Sequence, residues 1–441
     1  MDQEQPGQIM LGSDPVFGVL MDSVVSSLSR SVLDVAATNI LTAVYRFGLD
    51  VEPSCTPPNC SEELHSDQTS TETLGHPHHE VALTAASSSL VLLKNKDGLL
   101  PLTKDKATSL AVLGLAAWDE SHKYFVGYGS GYVSPGSSAK TPGAAIMDRA
   151  AKAGITVTFP KTENLTEAVD VAAAADVVIV VVGTPASEGV DRARLSLSDY
   201  GDELISAVTA TKKPTVVLMQ TPGAVLTPWR DEVAAIANIF MGGVGTGDAW
   251  ASFLFGDLAP RGRLPIMMPA TETDVIPVSS DEDVDYSEDL FTSYRSPSLK
   301  AAFPFGHGLS FTSFEYNKAI ASSTDCTTGA VCVTVEVKNS GQRDGEELVQ
   351  AYMHFPNPSG GDDAWAKQTP DIVLRGFRRT KVLKPGESQH LRFEFTDEDL
   401  SLYSPIAGGW VPQTSVEICL GASSGDLRQK LAVDLSSDST R

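Results

Sequence analysis

Val177-Val178-Ile179-Val180-Val181-Val182-Gly183 is the stretch on which the fold turns. A strand with one wet face alternates apolar and polar residues. Here consecutive β-branched side chains leave neither face for water. Such a strand needs cover on both sides, which places it inside a parallel sheet with helices on each face. Short apolar runs at Ser109–Leu113, Ile155–Phe159, Thr215–Thr221 and Ala235–Phe240 are expected to be its companions. Between the runs, helical periodicity predicts helices over Val81–Leu92, Gly143–Ala153, Leu165–Ala175, Asp202–Thr211 and Thr246–Phe255. Sheets wound in this way bind ligands outside the carboxyl ends of their strands, so the loop after Gly183 is the first place to look for chemistry.

Working outward, the pattern changes on both sides. Leu20, Val24, Leu28, Val32, Leu33, Ala36, Ala37, Ile40, Leu41 and Val44 recur at helical spacing, so residues 19–49 read as one or two helices stopped by Gly48. Residues 51–80 are rich in Pro, Ser, Thr and His and read as a linker; His76, His78 and His79 have no Cys or carboxylate spaced to complete a metal site. The α/β domain is assigned to 81–275. An acidic connector follows over 276–305, and its Ser279–Asp289 run lacks the spacing of a calcium loop. From 306 to 437 the period becomes two. Val331, Val333, Val335 and Val337, then Leu391, Phe393 and Phe395, then Val416, Ile418 and Leu420 alternate with polar residues between Gly- and Pro-rich turns. This is the pattern of an antiparallel sandwich of the immunoglobulin or fibronectin kind.

Composition removes several function classes. The 441 residues carry 33 Lys+Arg against 56 Asp+Glu, a net charge of -23 that repels nucleic-acid backbones and anionic lipid. No run reaches the ~18 apolar residues of a membrane span, and the N-terminus lacks the basic flank and apolar core of a signal peptide. Of the 5 cysteines, Cys55/Cys60 and Cys326/Cys332 form close pairs and Cys419 is left over. Local pairs suit disulfides in an oxidising compartment, as do the glycosylation acceptors Asn59-Cys60-Ser61 and Asn164-Leu165-Thr166. Cys326 and Cys332 either bridge on the sandwich surface across Thr327–Gly329 or stay free.

The loop after the valine strand reads Gly183-Thr184-Pro185-Ala186-Ser187-Glu188-Gly189-Val190-Asp191-Arg192. Glu188 beside Gly189 can project from a turn as a proton donor, although by spacing alone it is an ordinary solvated acid. Asp191 and Arg192 are read as a pair that supports the loop. Gly127-Tyr128-Gly129-Ser130-Gly131 does not open a helix directly after a strand, so it is a turn at a site edge or a surface loop and not a dinucleotide fingerprint. Nucleophile-elbow, phosphate-loop and zinc-protease motifs are absent from the sequence, and no cofactor or metal is expected. Trp118, Trp229, Trp250 and Trp365 are read as packing residues, with Trp118 alone close enough to the glycine loop to suggest substrate contact. His307, in its Gly-rich turn, is expected to be structural.

Four ordered stretches together resemble the family-3 glycoside hydrolases, which include β-glucosidases and β-xylosidases. They are Ala85–Asn95 with Leu100-Pro101-Leu102, Ser187–Arg192, Phe255–Pro265 and Phe303–Phe311. The resemblance implies an N-terminal (β/α)8-type barrel, an α/β sandwich and a fibronectin-III-like domain. Met1–Gly7 resembles a segment near the barrel's end and Leu33–Leu49 its closing helix, so residues 1–50 are expected to be a barrel remnant. The resemblance also implies a retaining double displacement on a terminal β-linked sugar of an oligosaccharide or glycoside, with Glu188 at the position of the acid/base. The family's nucleophile is a barrel Asp upstream of the segment that Met1–Gly7 resembles; Asp2 and Glu4, on a terminus, are poor substitutes. The expectation is therefore a shortened hydrolase that is inactive alone, with a missing barrel segment or chain as partner. The other expectation is a non-catalytic carbohydrate-binding or interaction protein. The family resemblance, paired cysteines and sequons point to secretion.

Overall fold

The computed structural model describes residues 28–48, 50, 76–130, 132–133, 135, 139–162, 164–277, 283–324, 326–356, 358, 369–404 and 407–436. Met1–Gly7, Cys55, Cys60, the Asn59 acceptor and Trp365 lie outside them, as do the side chains of His76, His78 and His79. The chain divides into two units, Met1–Leu74 and Gly75–Arg441. In the first, helix α1 (Arg30–Arg46) starts at Ser29, whose hydroxyl accepts the Val32 N–H at 3.4 Å. It ends at Phe47, with Gly48 in the left-handed region at φ 66.

The second unit begins with α2 (His76–Ser89), whose first turn lies in the stretch read as linker. Its central sheet has the order β1-β6-β5-β4-β2-β3. The strands are β1 (Val91–Asn95), β2 (Ser109–Leu113), β3 (Thr156–Thr158), β4 (Val177–Gly183), β5 (Thr215–Gln220) and β6 (Ala235–Ile239). β2 to β6 pair in parallel, and β4 is buried at every position between β2 and β5. Ile146 and Ala150 of α3 (Pro142–Ala153) pack with Trp250 and Phe253 of α6 (Thr246–Phe255) on the face of Val177, Ile179 and Val181. Ala168 and Ala172 of α4 (Leu165–Ala174) and Ile205 and Val208 of α5 (Gly201–Thr209) cover Val178, Val180 and Val182. The valine strand is therefore enclosed on both sides.

One expectation fails here. Val91-Leu92-Leu93 does not continue a helix from Val81 but forms β1, which pairs antiparallel to β6 and makes the sheet mixed. Short apolar runs fit either period, and pairing with the open edge of β6 satisfies backbone groups that a helix end would leave free.

The sandwich is built as read. Beyond the pair β7 (Met268–Pro269) and β8 (Ala301–Phe303), one sheet runs β10-β11-β14 with β9 also on β11; the other runs β13-β12-β17-β18. The first uses β9 (Phe314–Tyr316), β10 (Ile320–Ser322), β11 (Val331–Asn339) and β14 (Ser388–Phe395). The second uses β12 (Leu348–His354), β13 (Val373–Arg379), β17 (Ser415–Ser423) and β18 (Asp426–Asp434), and the hairpin β15 (Ser401–Ser404) and β16 (Gly409–Pro412) stands apart. Val331, Val333, Val335 and Val337 meet Phe393, Phe395, Ile418 and Leu420 in one core. Cys326 and Cys332 are joined by a disulfide with Cα atoms 5.5 Å apart. Cys332 is 2% exposed, so the bridge is anchored beneath the surface where the sequence put it on top. Cys419 is free and buried, and burial pushes its thiol up to about 12.

The junction between sheet and sandwich accounts for the Gly-rich stretches at 255–265 and 303–311. Gly306 sits at φ 79, and a Cβ there would stand 2.0 Å from Gln350 Oε1. Only glycine lets that strap pass, and Gln350 Nε2 then donates to its carbonyl at 3.0 Å. His307 donates from Nε2 to the Leu93 carbonyl at 2.9 Å, and burial holds the ring's pKa down, so it is a neutral structural side chain. Arg263 pairs with Glu347 at 3.3 Å, both nearly sealed from solvent, and the Tyr316 hydroxyl donates to the other Glu347 oxygen at 2.8 Å. Removing one partner leaves a buried charge unmatched. Glu347→Ala should therefore destabilise the protein by about 3–5 kcal/mol in urea unfolding, and the double change Arg263→Met with Glu347→Leu should recover much of that loss.

Candidate active site

The strand order fixes where two loops meet. From β2 the chain steps outward to β3, then crosses back over β2 to β4 and proceeds the other way to β5 and β6. The reversal lies between β2 and β4, and the crevice outside their carboxyl ends is where such sheets take ligands. The loop after β4 carries Glu188, and the one after β2 carries Gly127–Ser130. They join by a parallel bridge between Tyr128 and Ser187, with Tyr128 N–H donating to Ala186 O at 3.0 Å and Glu188 N–H to Tyr128 O at 3.1 Å.

Glu188 faces solvent. The Ser130 N–H and hydroxyl both donate to its Oε2, at 2.7 and 2.5 Å. These donors, the hydroxyl foremost, hold the carboxyl below the usual glutamate range. At neutral pH Glu188 is therefore ionised in this state. Among the described residues no ion pair or hydrogen bond ties it to a second carboxyl group or to a cation.

The supporting pair expected of Asp191 and Arg192 does not form. Arg192 turns inward and donates from Nη1 to the Ala224 carbonyl at 2.9 Å, while Asp191 stays exposed. A half-buried guanidinium requires a fixed acceptor, and a neighbour in an irregular loop that points to water cannot supply it. Trp118 is engaged in packing: its ring lies 4.6 Å from that of Phe159 and against Gly143, where a Cβ would come within 2.6 Å of it. Trp229 and Trp250 are core residues. The exposed rings on the loop that carries Ser130 are Tyr128 and Tyr132, stacked at 5.6 Å and nearly coplanar, 38% and 44% exposed. Behind the loop, the buried Tyr124 hydroxyl donates to Asp199, which also takes Lys123 Nζ at 3.2 Å, and Thr184 meets Ser198 at 2.8 Å. Asp199 and Tyr200 both lie at positive φ, 53 and 59, so the start of α5 holds strain near this edge.

The sequence singled out Glu188 and put Gly127–Gly131 at a site edge or on the surface, but it gave Ser130 no partner and Tyr132 no role. The signal was present in the alternation of glycine with Tyr128 and Ser130, but it acquires meaning only once β2 and β4 are known to be neighbours. Among the described residues no cluster of three or more His, Cys, Asp or Glu is placed to hold a metal, and no described helix is long and apolar enough to cross a membrane. With one carboxylate and flanking aromatic rings, the crevice can move a proton to or from a bound molecule that has flat apolar faces.

The family model for the glycosyl hydrolase family 3 C-terminal domain matches residues 90–311, and that for a fibronectin type III-like domain matches 347–424. The chain is 31% identical over 385 residues to thermostable beta-glucosidase B of Acetivibrio thermocellus, covering 82% of this chain and 49% of that one. To a beta-xylosidase of Formosa agariphila it is 32% identical over 423 residues, 92% of this chain and 56% of the other. The crystal structure of beta-D-glucoside glucohydrolase from Trichoderma reesei superposes with a TM-score of 0.79 at 28% identity, covering 93% of this chain and 62% of that one. That of DesR, a beta-glucosidase from Streptomyces venezuelae in complex with D-glucose, does so at 0.76 and 25% identity, covering 93% and 65%. The chain spans about half the length of the curated relatives it matches. With half of its residues inside the matched catalytic-family domain and a fibronectin-like sandwich behind it, the chain belongs to glycosyl hydrolase family 3.

Proposed function

We propose that this chain carries the acid/base half of a retaining glycosidase site of the β-glucosidase or β-xylosidase type. The observation that carries the reading is Glu188 at the reversal point of the sheet, where Ser130 of the loop after β2 closes on its solvent-facing carboxylate from the loop after β4. A retaining site requires a second carboxyl about 5–5.5 Å away as nucleophile. That nucleophile, with most contacts to the sugar, belongs to the part of the relatives' length that this chain does not span. Helix α1 then belongs to the same missing layer: it has no buried residue, and it exposes Val35, Ile40, Leu41 and Tyr45. Glu188 would give its proton to the leaving oxygen in the first step and take one from water in the second. The Cys326–Cys332 disulfide supports work in an oxidising, extracellular setting.

The 441 residues purified alone should leave aryl β-glucosides uncleaved, and adding a barrel segment from a relative should restore turnover with retained anomeric configuration. Turnover by the chain alone, or an inverted first product, would sink the reading. In the restored preparation Glu188→Gln should lower turnover by about 10²–10⁴-fold on substrates with poor leaving groups. Activated aryl leaving groups need little protonation, so their first step should suffer far less.

A further inference from the structure

Glu188 is clasped, and the clasp comes from the neighbouring loop. Ser130 offers its N–H and its hydroxyl to the same oxygen, Oε2, so both donors favour one orientation of the carboxylate. Gly129 makes room for this. It lies at φ 100, and a Cβ built there would stand 2.4 Å from Glu188 Cβ and 3.0 Å from Oε2. Any side chain at 129 would occupy the space that the carboxylate fills. The backbone completes the arrangement, since Glu188 N–H donates to Tyr128 O and Tyr132 N–H to Gly129 O, each at 3.1 Å. Donors and acceptor therefore belong to two loops that meet only because β2 and β4 are adjacent.

We propose that Ser130 is a positioning residue for Glu188, which grips the carboxylate while it is ready to take a proton and lets go once it carries one. This rests on the reading of Glu188 as acid/base. A carboxylate oxygen has lone pairs for both donors. Protonation of that oxygen sets an O–H against the Ser130 N–H, which cannot accept it, and makes the hydroxyl give up its donation; protonation of the other oxygen turns Oε2 into a weaker, uncharged acceptor. The downward pull on the Glu188 pKa, led by the Ser130 hydroxyl, has the same sense. In glycosylation the nucleophile's carboxylate bonds the anomeric carbon as the bond to the leaving oxygen breaks, the bonding pair stays on that oxygen, and the Glu188 proton passes to it. The carboxylate so formed is the species Ser130 holds. In the second step water loses its proton to Glu188 as its oxygen bonds the anomeric carbon and the bond from that carbon to the nucleophile's carboxylate breaks, its electron pair leaving with the carboxylate; the grip then loosens and frees the acid for another substrate.

The test is a carboxyl-carbon NMR titration of the full 441-residue chain labelled at glutamate, with the Glu188 signal assigned as the one missing from Glu188→Gln. The parent should titrate below an ordinary glutamate. Ser130→Ala should raise the midpoint, Ser130→Thr should keep it low, and Gly129→Ala, which displaces both donors, should raise it at least as far as Ser130→Ala. Ser130→Ala should still unfold in one cooperative transition, its stability above the Glu188 midpoint lowered only by the amount the raised midpoint accounts for. Unchanged midpoints in Ser130→Ala and Gly129→Ala would overturn the clasp whatever Glu188 does. A raised midpoint in Ser130→Ala, with full turnover by Glu188→Gln in the barrel-restored preparation, would instead overturn the acid/base reading and leave the clasp a structural contact.

Discussion

Burial of β4 on both faces is the constraint from which the rest follows. Val177 to Val182 have no polar partner for water on either side, so the strand exists only with helices packed above and below it. That demand sets the three-layer order, makes the neighbouring strands parallel, and drives the chain through crossovers that all deliver their loops to one edge. Glu188 is at that edge because it follows β4, which is buried along its whole length.

A second constraint ties the sheet to the sandwich. The strap around Gly306 threads against Gln350, and Arg263 reaches across to Glu347 and Tyr316 in a space closed to water. Charges in such a place contribute direction more than stability, since desolvating them offsets much of their attraction. Their effect is to permit one docking of the two layers, because a misplaced junction would strand a guanidinium or a carboxylate without a partner. The motifs at 255–265 and 303–311, which carried the family resemblance most plainly, serve this junction and not the crevice.

Much of this was legible in advance. The β4 boundaries, the α6 boundaries and the core positions of the period-two strands follow from periodicity, because a continuous apolar run and a strict alternation each have one compatible environment. The antiparallel β1 was not legible. Val91-Leu92-Leu93 fits a helix as well as a strand, and only the open edge of β6 decides between them. Asp191 with Arg192 failed for a related reason: adjacency in sequence says nothing about which way two loop side chains turn, and Arg192 found a backbone acceptor at Ala224.

The residue types alone determined the division into a wound sheet and a sandwich, the net charge of -23, and the place of Glu188 in the loop that follows the valine strand. They did so because burial and charge act through composition and period, which a linear chain displays. What tertiary structure decided was the company Glu188 keeps. Ser130 lies 58 positions away and reaches it only through the pairing of β2 with β4, with Gly129 small enough to let them touch. Hydrogen bonds are directional and short, so they are settled by which loops the fold brings within 3 Å, and no local pattern records that.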